Sequence, residues 1–147
     1  MSVTPYSHLD HAWNAGRIPL GETIRDLART LVGPAEPDSW QEHLQALLRP
    51  LQEAFAAHRA ATEGDHGLYA EVILEAPRLV NAVDGLVAEH YQIGSAMERL
   101  AAVASEVSAD AELLRREAME VLDGLAQHRQ RDSDLVYEAY ATDIGGE

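Results

Sequence analysis

An all-α fold, an antiparallel up-down-up-down four-helix bundle with a short extra N-terminal helical segment, is what this chain predicts, on three observations. Ala, Leu, Glu and Arg, all good helix formers, dominate, and no stretch alternates polar and apolar with period two for long. Four segments carry apolar residues in alternating steps of four and three, which is the inward stripe of a bundled helix. Breaker clusters at residues 16–19, 33–37, 64–67, 105–110 and 145–146 separate and end those segments. At 147 residues the chain fits a single bundle domain spanning 1–147, large enough to bury a core without a staple.

The first helix is expected over residues 19–32, with Pro19 in its opening turn and Leu20, Ile24, Leu27 and Leu31 facing inward; a short piece over 7–15 precedes it. The second follows Asp38 and Ser39, with Glu42 placed to complete a capping box, and runs to Glu63. Its stripe is Leu44, Leu48, Leu51, Phe55, His58 and Thr62, and Pro50 predicts a kink or break near Leu47. The third opens near Pro77 and reaches Val107, with Leu79, Val83, Leu86, His90, Ile93, Met97, Leu100, Ala104 and Val107 inward. The last spans 111–140, and its stripe, Leu114, Ala118, Val121, Leu125, His128, Asp132 and Leu135, carries an imidazole and a carboxylate in adjacent core layers.

Composition narrows the function. There is no cysteine, so disulfides, thiolate metal sites and cysteine nucleophiles are excluded. A net charge of −14 repels phosphate backbones and anionic lipid heads, so neither nucleic acid nor membrane is an expected partner. The N-terminus has no basic and apolar leader pattern, and no run of 18 apolar residues occurs, which predicts a cytoplasmic location. No Gly-rich phosphate loop, Gly-x-Ser-x-Gly elbow, His-Glu-x-x-His pair or EF-hand loop is present. An enzyme with a defined organic substrate is therefore not the expectation, and any chemistry would be metal-centred redox.

A buried carboxylate is costly unless it is paired or ligates a metal, and His128 with Asp132 at i, i+4 share one helix face. Counting from the turns places His90 and His128 at one height, His58 near the same level, and His11 level with His58 on the first helix. The halves resemble diverged copies: His58 to Thr62 leads to Leu68 and Tyr69, as His128 to Asp132 leads to Leu135 and Tyr137. Imidazole and carboxylate without thiolate suit iron, manganese or zinc. Thr62 stands where a second carboxylate would be, so Glu63 is the candidate for that role, with Asp65, His66, Tyr69, Glu89 and Tyr137 as further candidates. Against a metal site stands a polar network holding the bundle in register, with Asp132 paired to Arg131 or Arg59. His8 and His43 read as surface residues, and Trp13 and Trp40 as packing at helix starts.

The set His11-Ala12-Trp13, His58-x3-Thr62-Glu63, Glu89-His90 and His128-x3-Asp132 resembles the hemerythrin-like, or HHE cation-binding, family over most of the chain. The resemblance implies non-haem iron, two ions bridged by carboxylates, serving oxygen, peroxide or nitric oxide binding or sensing, or iron handling. Carried over by position, His11, His58, His90 and His128 are ligands, Asp132 is a bridge and Glu63 a second bridge. The chain has fewer inward histidines than that pattern, so a single ion, or none, stays open. The competing expectation is a metal-free helical bundle acting as a protein-interaction or homodimerisation module.

Overall fold

The computed structural model describes residues 7–33 and 37–142, with side chains described for 20–33 and 39–140. Four long helices form the bundle: α1 (Ser7–Val32), α2 (Pro37–Glu63), α4 (Val80–Ala104) and α5 (Ala111–Tyr137). Between α2 and α4 lie a two-turn helix, α3 (Leu68–Glu75), and a 3₁₀ turn (Pro77–Leu79); a π-helical turn (Glu138–Thr142) follows α5. The main packing pairs are α1 with α2 and α4 with α5, and α1–α5 and α2–α4 contacts join the pairs. No helix among the described residues is long and apolar enough to cross a membrane.

Burial follows the four-three stripes. Leu20, Ile24, Leu27 and Leu31 of α1, Leu44, Leu48, Leu51 and Phe55 of α2, Ile93, Met97 and Leu100 of α4 and Leu114, Ala118, Val121 and Leu125 of α5 form one apolar core. A second, smaller core gathers Leu68, Tyr69 and Val72 of α3 with Val83, Leu86 and Leu135. In α2, α4 and α5 alike, the inward histidine falls in sequence between these two cores. The histidines thus form a polar layer, closed on its second side by α3.

Four expectations are corrected. The break at residues 16–19 is absent, so there is no separate N-terminal segment; α1 is continuous, and the extra short helix is α3. Gly16 costs about 1 kcal/mol and Pro19 one backbone bond, which the buried stripe that follows offsets. Helix α2 starts at Pro37, ahead of Ser39, because proline at a helix start forfeits only a donor that would have no partner there. It also runs unbroken through Pro50, which is solvent-exposed, so the carbonyl it leaves unpaired can be hydrated. Helix α4 ends at Ala104, leaving Val107 fully exposed: Ser105 bonds back to the last turn, and the Gln41 and Gln45 side-chain amides of α2 cover the Ala104 carbonyl.

Candidate metal centre

Three imidazoles and one carboxylate meet in the polar layer, and their heavy atoms set its geometry. His58, His90 and His128 are at most 2% exposed, as is Asp132. The His128 Nε2 atom lies 2.9 Å from His90 Nε2 and 3.2 Å from His58 Nε2. Asp132 Oδ2 lies 3.1 Å from both His58 Nε2 and His128 Nε2. Two donors each about 2.1 Å from one ion stand about 3.0–3.4 Å apart for angles of 90–110°. The observed spacings match that. Among the described residues, these three histidines are the group able to hold a metal ion.

Three of these four side chains, His90, His128 and Asp132, are each aimed by a second group. His90 Nδ1 lies 2.5 Å from Glu63 Oε2, and Glu63 is itself held by Arg59 Nε at 3.1 Å. His128 Nδ1 lies 2.8 Å from Glu89 Oε1, whose other oxygen is ion-paired with Arg131. The two arms have the same construction, arginine to glutamate to imidazole. An ionised carboxylate can only accept, so both Nδ1 atoms carry a proton, and in the neutral ring this leaves Nε2 with its lone pair. This is how ligating histidines are normally oriented. Tyr69 donates to Asp132 Oδ1 at 2.5 Å, which turns Oδ2 toward the imidazoles, and the Tyr69 ring stacks on that of His90 with centroids 5.9 Å apart. Asp132 Oδ2 itself is buried and receives no hydrogen bond.

Burial pushes the Asp132 carboxyl up, but the His128 and His58 imidazoles and the Tyr69 hydroxyl outweigh it and hold it well below the usual carboxylate range. Glu63 is likewise lowered, because His90 and Arg59 together outweigh its burial. Burial pushes His90 down to about 4, further than the Glu63 carboxylate can raise it, so the ring is neutral at pH 7. Burial and the Asp132 charge push the Tyr69 phenol well above its ordinary value, so it stays a donor. The 2.9 Å contact between His90 Nε2 and His128 Nε2 is a hydrogen bond when one ring carries its proton there, and it brings two lone pairs to one point, where a cation would hold them together, when both rings carry it on Nδ1.

Placement of the expected residues is uneven. His58, His90, His128 and Asp132 come together; His11 falls on the part of α1 whose side chains lie outside the described residues. Glu63 turns to the outer nitrogen of His90 and away from the shared point, and Glu89 does the same for His128. Asp132 is not claimed by Arg131 or Arg59, whose partners are Glu89 and Glu63. Tyr69 is built into the centre, while its repeat counterpart Tyr137 is 70% exposed; Asp65 and His66 also face solvent. Trp40 packs at the start of α2 and donates to the Thr30 carbonyl; His43 is exposed. Comparison of the chain with protein-family models, curated proteins and solved structures finds no match.

The three buried histidines could hold a metal ion, and the donor set fits one: imidazole nitrogens from three helices, an anionic oxygen with no hydrogen-bond donor, and outer-nitrogen partners that fix His90 and His128. What sequence reasoning missed is the division of labour among the glutamates. Its signals were the Arg59/Glu63 pair at i, i+4 and the position of Arg131 one turn from His128.

Proposed function

We propose that this chain binds one first-row transition-metal ion, iron in the cell, through His58, His90, His128 and Asp132, as a hemerythrin-like protein that takes a diatomic ligand or peroxide. One observation carries the reading: a buried Asp132 oxygen without a hydrogen-bond donor, 3.1 Å from the Nε2 atoms of both His58 and His128. Four protein ligands leave coordination positions open on iron, and the metal when bound supplies reversible small-ligand binding and one-electron chemistry. The chain's own part is to orient the His90 and His128 imidazoles through Glu63 and Glu89, to keep His90 neutral by burial, and to exclude water with the two apolar cores. One ion is favoured over two because Glu63 faces the outer nitrogen of His90. An up-down-up-down antiparallel order of the long helices belongs to the same reading, supported by the close packing of α1 on α2 and of α4 on α5.

A metal-free interaction module would have to leave the His90 and His128 lone pairs facing each other, or hold an extra proton in a site that pushes His90 toward neutrality. Metal analysis and visible absorption of protein from iron-fed cells test the proposal, with about one ion per chain expected. Less than about 0.2 iron per chain, with no rise in melting temperature on anaerobic addition of Fe²⁺, would overturn it.

A further inference from the structure

The face where α4 meets α5 carries a groove of about 570 Å³, within the size range of small-molecule sites. Its apolar lining comes from Leu79, Leu86 and Leu135, with Ala82 and Gly85 leaving room between them. A Cβ built on Gly85 would meet nothing within 4 Å, so the groove is open space there.

The polar groups along it are unequal. Glu89 and Arg131 are ion-paired, and Glu89 also accepts from His128, so neither calls for a ligand. An incoming anion would have to take Arg131 from Glu89 and weaken the support of His128. Among the described residues the Asp134 side chain accepts from the neutral Gln130 amide, at 3.0 Å, and no ion pair engages it. Glu138 adds a second carboxylate at the lining, beside Arg78, which donates to its main-chain carbonyl. Around this lies a chain of net charge −14, which concentrates cations and repels anions. We infer that the α4/α5 groove is a binding site for a small organic cation with an apolar body, an alkylammonium whose chain lies on Leu79, Leu86 and Leu135 and whose head group is taken by Asp134.

This inference is independent of the metal, so the full chain is tested after metal removal. Calorimetric titration with n-octylammonium, n-octanoate and n-octanol should give binding of the ammonium about tenfold or more tighter than either of the others. Asp134→Asn should remove most of that preference. Gly85→Leu, which fills the open space at an exposed position, should abolish binding while leaving the melting temperature unchanged or higher. Equal or tighter binding of octanoate, octylammonium binding that survives Gly85→Leu, or binding of none of the three would overturn it. So would capture of a basic peptide by a chain that ignores octylammonium.

Discussion

Tyr69 and Asp132, 63 residues apart in sequence, are joined by a buried hydrogen bond of 2.5 Å, and that bond makes the short helix α3 a part of the centre. Without it Asp132 could rotate about its Cβ–Cγ bond to offer either oxygen to the imidazoles, or about Cα–Cβ to offer neither. Tyr69 is therefore a positioning residue: it fixes which carboxylate oxygen faces inward.

Tyr69→Phe keeps the ring on His90 and removes the donor. Asp132 Oδ1 is then buried without a partner, so the metal-free protein should lose about 1–3 kcal/mol in urea unfolding. Metal affinity should fall about tenfold or more, as for loss of a group that orients a ligand. Competition titration against a chelator measures the second quantity. Stability lost with affinity intact would mean that the hydroxyl serves packing alone.

His128 touches every other member of the layer, through Nε2 to His90, His58 and Asp132 and through Nδ1 to Glu89. His128→Ala should bring bound metal from about one ion per chain to below about 0.2, and should destabilise the metal-free chain by about 1–3 kcal/mol, since Glu89 loses a donor. Unchanged metal content, measured by elemental analysis, would end the ligand assignment.

The stripes of the long helices were legible because burial on a straight helix obeys a fixed period, and His58, His90, His128 and Asp132 stood on those stripes. Helix α3 was not. Its sequence Leu-Tyr-Ala-Glu-Val-Ile-Leu-Glu is too short to show a period and apolar on more than one side. The role of Tyr69 was hidden with it. Glu63 and Glu89 were visible as candidates, but only three-dimensional contact shows which nitrogen of a histidine a carboxylate meets. Neither residues 16–19 nor Pro50 stops a helix, because a breaker costs a local amount that a long buried stripe can exceed.

Acid should destabilise the metal-free chain in two stages of the same sign. His90 is held at about 4 when folded against an ordinary value of 6.5, so between those values the unfolded chain binds more protons. Linkage then makes stability fall as pH falls, by up to about 1.4 kcal/mol per pH unit from this ring. Asp132 and Glu63 are both lowered, so their contributions are present above the ordinary carboxylate values and lost as pH drops through the folded ones. Melting temperature followed from pH 8 to pH 4 should decline from about pH 6.5 downward without an acidic optimum. A maximum near pH 5 would mean that the layer stores a proton in place of a cation.

Glu63→Gln separates one ion from two. In the structure Glu63 accepts from His90 Nδ1, and glutamine keeps an oxygen that can accept the same bond while losing the charge that makes the imidazole a stronger ligand. The expected outcome is a weaker site with unchanged stoichiometry: affinity down about tenfold, still one ion per chain. Were Glu63 a bridging ligand, the variant would lose a whole ion, and the metal count would fall from two to one. Elemental analysis of the two proteins side by side reads the difference directly. A drop in stoichiometry without a uniform drop in affinity would replace the single-ion centre with a bridged pair.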